Sequence, residues 1–168
     1  MSLKLATDEK ERLRDIGLFG GLSDETLEKL ASDLEVIQLQ PGAVVFKEGD
    51  SGREMFVLLE GEIEVLKHSK SLRETRVALL GPSDWFGEMS ILDVMPRSAT
   101  VRTLSPSRVL RITAHDLDAL YRRDLRAYSL VVLNIAREMS RRLRVVDGLL
   151  AEFVATVVDE YTRSHRTL

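Results

Sequence analysis

Two polar pairs, Gly87-Glu88 and Arg97-Ser98, bracket the stretch "WFGEMSILDVMPRSATV" and carry the chemistry that this chain offers. A glycine lets a ligand approach the backbone closely, and the Glu88 carboxylate can accept hydrogen bonds from the vicinal hydroxyls of a sugar. Arg97 supplies a planar cation with paired donors, which suits a phosphate. Ser98 adds a hydroxyl donor and Ala99 a backbone N–H. The apolar residues between the pairs are too few for a full amphipathic helix. The pattern predicts a tight turn, one or two helical turns starting near Gly87, and then a strand. Backbone N–H groups at that start would face an anion. A carboxylate for hydroxyls and a guanidinium for phosphate read together as a sugar-phosphate socket. The same spacing also allows a Glu88–Arg97 surface ion pair that closes a loop.

Composition bounds what can position such a socket. The chain has 168 residues, enough for one domain plus some extra helix and for a core without disulfides. It has no cysteine, which excludes disulfides and thiolate chemistry. A formal net charge of -3 argues against a nucleic-acid surface over the whole chain. The N-terminal segment turns polar at once, and no run approaches the ~20 apolar residues of a membrane span. A cytoplasmic protein without membrane contact is expected. No catalytic residue and no metal site are expected either. His68, His115 and His165 are scattered, and Ser90 in "GEMS" lacks the following glycine of a nucleophile elbow.

Three regions organise the chain. Residues 8 to 33 carry helical spacing. Leu13 and Ile16 mark a first segment, Gly20 and Gly21 a stop, and Ser23 a fresh cap ahead of a Leu27, Leu30, Leu34 stripe. Thr26 stands where a capping box would place Glu. From about 35 to 112 the period becomes two, in short runs such as "EVIQLQ", "MFVLLEG", "EIEVLK" and "RVLRI" punctuated by turn residues. Such runs predict a sandwich or barrel, with a hairpin at Gly61. Thr113 with Asp116 predicts a cap for the helix that follows. A long helix is expected over 124–160. In it Met139, Leu143, Val146, Leu150, Phe153 and Val157 alternate by four and three, a coiled-coil seam that predicts a homodimer. The other use of that stripe is packing on the helix's own domain. Gly148 interrupts the helix as a hinge or as a tolerated glycine.

The motif "FGEMSIL…PRSATV" resembles the phosphate-binding cassette of cyclic nucleotide-binding domains. "IGLFGGLSDETLEKLA" is similar to that family's N-terminal helical element, and "QPGAVVFKEGDSGREMFVLLEGEIEVL" to its first strands. "MSRRLRVVDGLL" is similar to the long C-helix of the bacterial catabolite activator group. Together these cover about residues 11 to 158. The resemblance implies a mainly β fold with flanking helices: a jelly-roll-like β-roll of about eight strands, N-terminal helices and a long C-terminal helix. Residues 8–123 would form the binding domain, and residues 124–160 the base lid and dimerisation helix. It implies cAMP or cGMP as ligand. Gly87 and Glu88 would hold the ribose 2′-hydroxyl, and Arg97 the cyclic phosphate with help from Ser98 and Ala99. Phe86, Met89 and Ser90 complete the cassette.

Two departures from the group pattern matter. Where it places two adjacent hydroxyl residues against adenine, this chain has Val146 and Asp147. Valine cannot bond the base. Asp147 can accept from adenine's amino group or from the two adjacent donors of guanine, as a helix carboxylate does in related channel domains. Ser98, where cGMP-preferring relatives often carry threonine, tilts the expectation to cAMP. The second departure is that the chain stops at "VVDEYTRSHRTL", without room for a helix-turn-helix. The arginines of "REMSRRLR" are therefore expected to solvate a helix face, and no DNA binding is expected. The expected function is a cyclic-nucleotide sensor with an unknown downstream protein. The alternative is a nucleotide-insensitive interaction module on the same fold.

Overall fold

The computed structural model describes residues 12–68 and 74–164, with residues 160–164 described by backbone alone. Residues 8–11 of the first expected helical segment, and His165, lie outside the described residues. Past Arg12 that segment runs as two 3-10 turns, Leu13–Asp15 and Gly17–Phe19. Leu13, Ile16 and Phe19 recur at steps of three, the period of a 3-10 helix, and all are buried. Helix α1, Asp24–Asp33, starts where Ser23 caps it, its hydroxyl accepting the Thr26 N–H at 3.3 Å. Leu27, Leu30 and Leu34 form its buried stripe. The Thr26 hydroxyl, left over by the imperfect box, donates instead to Asp124 Oδ2 at 3.1 Å.

The strands are β1 Glu35–Leu39, β2 Val44–Phe46, β3 Glu54–Glu60, β4 Ile63–His68, β5 Glu74–Leu80, β6 Trp85–Phe86, β7 Thr100–Thr103 and β8 Ser107–Thr113. They pair into two four-stranded sheets, ordered β1-β8-β3-β6 and β2-β7-β4-β5. The hairpin expected at Gly61 does not form, because β3 and β4 enter different sheets. Gly61 is a crossover instead. Its φ is +99°, and a Cβ there would stand 2.7 Å from the Pro106 carbonyl oxygen.

Between the sheets lies a core of Phe56, Leu58, Phe86 and Val109 from one side and Ile63, Leu80 and Val101 from the other. Each such side chain contributes about 1.5–3 kcal/mol on burial. Strand β3 also buries Met55 and Val57, which point to its opposite face. That two-sided burial is why "MFVLL" reads as a continuous apolar run.

The remaining helices are α2 Met89–Leu92, α3 Ala114–Arg123 and α4 Leu125–Ser164. Thr113 and Asp116 form a full reciprocal capping box at the start of α3. Asp124, at φ -145° and ψ 86°, separates α3 from α4, and its Oδ1 accepts the Ala127 N–H at 2.9 Å. Helix α4 continues through Gly148 without a break. The chain divides into a compact unit ending at Val131 and a second unit from Val132 onward. Along the second unit Leu143, Val146, Leu150, Phe153 and Val157 are 48–67% exposed, while Met139 is half-buried. Among the described residues no helix is long and apolar enough to cross a membrane.

Candidate anion site around Arg97

Arg97 is the centre of the site. Its backbone is clasped by the loop between β2 and β3: the Gly49 N–H donates to the Arg97 oxygen at 2.9 Å, and the Arg97 N–H donates to the Asp50 oxygen at 2.8 Å. Close by, the Glu48 N–H donates to Thr100 Oγ1 at 3.0 Å. These bonds tie the start of β7 to that loop, so the side chain leaves a rigid backbone.

The Arg97 side chain is only 2% exposed. Its Nη1 donates to the Glu54 carbonyl at 2.7 Å, the Ser90 hydroxyl at 2.8 Å and the Gly87 carbonyl at 3.1 Å. The ring of Phe46 lies under the guanidinium, with Cζ 4.0 Å from its centroid. Among the described residues Nε and Nη2 make no hydrogen bond, and Nη2 stands 3.8 Å from Glu54 Oε1. Burial pushes the guanidinium below the ordinary arginine value, opposed by the charges of Glu54, Asp50 and Glu88. Three neutral acceptors thus hold one nitrogen, and the opposite edge keeps two donor nitrogens for an anion that accepts through two oxygens.

Two glycines make room for this arrangement. Gly87 has φ +81°, and a Cβ there would stand 2.8 Å from Arg97 Nη1. A Cβ on Gly52 would stand 2.5 Å from both Nε and Nη2. Neither position accepts a side chain while the guanidinium keeps its place.

The other expected site residues fall as follows. Glu88 is the N-cap of α2 and is 6% exposed, so with Arg97 it forms no surface ion pair. Among the described residues the acid within 4 Å of the guanidinium is Glu54. Ser90 is buried, donates to the Gly87 oxygen at 3.1 Å and accepts from Arg97, so it positions the arginine. Phe86 is buried in an aromatic group, 5.4 Å from Phe56 and 6.1 Å from Phe46 between ring centroids. It supports the ring that lies under Arg97. Ser98 is exposed and its hydroxyl lies 3.5 Å from the Met89 sulfur; Met89 is exposed and Ala99 is buried. Val146 and Asp147 stand exposed on α4, in the second unit. Among the described residues no group of three or more His, Asp or Glu is arranged to hold a metal ion.

The family model of the cyclic nucleotide-binding domain matches residues 36–124, more than half of the chain and the whole of this site. The chain belongs to the cyclic nucleotide-binding domain family. A CRP-like cAMP-activated global transcriptional regulator of Mycobacterium tuberculosis is 30% identical over 148 residues, 88% of this chain and 64% of that protein. The chain therefore spans less than two thirds of the length of that relative. A cyclic nucleotide-binding domain from Methylobacillus flagellatus superposes with a TM-score of 0.79 at 25% identity, covering 86% of this chain and 83% of that one. The regulatory domain of Toxoplasma gondii PKA, solved with cAMP, superposes at 0.63 and 26% identity over 69% of this chain and 46% of its own.

In this cyclic nucleotide-binding domain, sequence reasoning missed Phe46, Gly52 and Glu54. All three sit on the β2–β3 segment "FKEGDSGRE", 43 to 51 residues before Arg97. The closely spaced Gly49 and Gly52 were a local sign of a tight backbone there. Nothing local pointed to which side chain those glycines would admit.

Proposed function

We propose that this chain is a regulatory sensor that binds a 3′,5′-cyclic nucleotide, cAMP in preference to cGMP, and signals through its long C-terminal helix. The observation that carries the reading is the Arg97 guanidinium: buried, gripped at Nη1 by neutral acceptors, and held 3.8 Å from its acidic partner. A buried cation whose counter-ion stays beyond hydrogen-bond reach is costly unless an anion completes it. In this reading the cyclic phosphate takes the Nε–Nη2 edge, with Ser98 and Ala99 assisting. Gly87 and Glu88 take the ribose 2′-hydroxyl, at the start of a short helix on the same cassette as Arg97. Ser98 favours cAMP. Asp147 is exposed and can accept from the adenine amino group, while Val146 offers the base only an apolar contact.

Residues 8–123 would be the binding domain and residues 124–160 the lid and dimerisation helix, acting in the cytoplasm. The exposed seam of Leu143, Val146, Leu150, Phe153 and Val157 supports a homodimer. Nucleotide would bind one position of that helix better than another and shift the population toward it.

The test is calorimetric titration of the nucleotide-stripped protein with cAMP and cGMP, beside Arg97→Ala. Binding that the variant loses supports the sensor, and the stronger ligand reports on Asp147. No binding of either nucleotide would leave an interaction module. Equal hydrogen exchange along α4 with and without saturating ligand would refute the helix signal.

A further inference from the structure

An alternating chain of charge leads away from the Arg97 guanidinium across one sheet. Glu54, the first residue of β3, gives one oxygen to each side. Its Oε1 stands 3.8 Å from Arg97 Nη2, and its Oε2 accepts the Arg111 Nε–H at 2.6 Å. Arg111 in turn donates Nη1 to Glu35 Oε2 at 3.0 Å. The ladder explains the placement. Arg111 of β8 is the cross-strand partner of Glu35 in β1, and Glu54 of β3 lies opposite Thr113, two residues further along β8. Glu35, Arg111 and Glu54 are therefore direct and diagonal neighbours on one face of the sheet.

The two distances at Glu54 are unequal, and the inequality matters. Toward Arg111 the carboxylate makes a short charge-assisted hydrogen bond; toward Arg97 it makes an ion pair beyond hydrogen-bond reach. Glu54 already holds Arg97 with its backbone carbonyl at 2.7 Å, so its side chain is well placed to close on the guanidinium as well. A carboxylate that did so would occupy the donors a phosphate needs. Its hydrogen bond to Glu54 also raises the Arg111 guanidinium above the ordinary arginine value, against some desolvation and aided by Glu35, so Arg111 keeps its charge at any physiological pH.

We propose that Arg111 is a positioning residue for the anion site: it engages Glu54 and thereby keeps that carboxylate from pairing directly with Arg97, leaving the guanidinium edge to the ligand's phosphate. This rests on the reading that Arg97 binds phosphate. Arg111 touches no ligand in this scheme and acts on affinity only through Glu54.

The experiment compares cAMP affinity and thermal stability for the wild-type chain, Arg111→Gln, Glu54→Gln and the double variant. Arg111→Gln frees Glu54 to close on Arg97, and affinity falls about tenfold, within the ordinary range of coupling between sites. Adding Glu54→Gln removes the competing charge and returns affinity to within about threefold of wild type, although the double variant has lost the whole pair and melts lower. A merely structural Arg111 would lose affinity and stability together in both variants. Arg111→Lys, which keeps the charge without the Nε donor, gives an intermediate loss and serves if the glutamine variant does not fold. The proposal is overturned if Arg111→Gln binds like wild type, or if the double variant binds as weakly as Arg111→Gln. If the wild-type chain binds no cyclic nucleotide, the phosphate reading falls, and the Arg97 Nε–H resonance in the free protein still judges the relay. That signal shifts in Arg111→Gln if Glu54 closes, and an unchanged signal overturns the proposal.

Discussion

Gly52→Ala tests whether close approach sets the Arg97 guanidinium. The new Cβ would stand 2.5 Å from Nε and Nη2 and 2.7 Å from Cζ. Restoring an ordinary contact of roughly 3.5 Å requires a shift of about 1 Å at the guanidinium. The backbone has no reason to move first, since Gly52 is not among the positive-φ glycines and the loop is tied at Gly49 and Asp50. The shift lengthens Nη1 bonds that now measure 2.7, 2.8 and 3.1 Å, and it carries the free edge away from the cassette. Losing the equivalent of one hydrogen bond to a charged group costs about 1.5–3 kcal/mol, or roughly ten- to a hundredfold in Kd. Folding stability changes less, because alanine at an unstrained position gains about 0.4–1 kcal/mol from the unfolded state. Calorimetry with cAMP gives the affinity, and a urea melt gives the stability. An affinity within twofold of wild type would refute the reasoning, because it would mean that the guanidinium shifts without consequence for binding.

Further outcomes follow from the same geometry. Ser90→Ala removes the hydroxyl that links Gly87 to Arg97, and urea unfolding should show a loss of about 1–2 kcal/mol along with weaker nucleotide binding. Gly148→Ala meets nothing within 4 Å at its Cβ, so denaturant melts should show a gain of up to about 1 kcal/mol with nucleotide affinity unchanged. A change in affinity would instead mark Gly148 as a hinge. Asp124 is held below its ordinary value of 3.8, first by the Ala127 N–H and also by the Thr26 hydroxyl, against some desolvation. Its folded pKa lies below its unfolded one, so its contribution is present above about pH 4 and is lost as pH falls through the folded value. Melting temperature against pH should therefore fall more steeply below pH 4 in wild type than in Asp124→Asn, and parallel curves would count against a contribution from the two hydrogen bonds that Asp124 accepts.

Much of the fold was legible because its signals are local. Ser23 and Thr113 cap helices where their spacing placed them, since a cap involves residues three apart. The cassette glycine, glutamate and arginine stood out because one short loop carries all three. Gly61 misled: positive φ and close approach are local demands, but whether the flanking strands pair depends on β8 and β6, which lie far along the chain. The two-residue strand Trp85–Phe86 left no period to read.

What the sequence by itself determined is the family, the mainly β architecture, the long helix and the identity of the buried cation. Period, caps and a dense motif each involve neighbours along the chain, and for them residue type is sufficient. Only the tertiary structure decided how Arg97 is held. Phe46 beneath it ends β2, Gly52 against its edge lies in the loop that follows, and Glu54, shared between it and Arg111 of β8, opens β3. Their order in space follows from which strands pair. That pairing minimises exposed apolar surface over the whole domain, and no window of the sequence contains it.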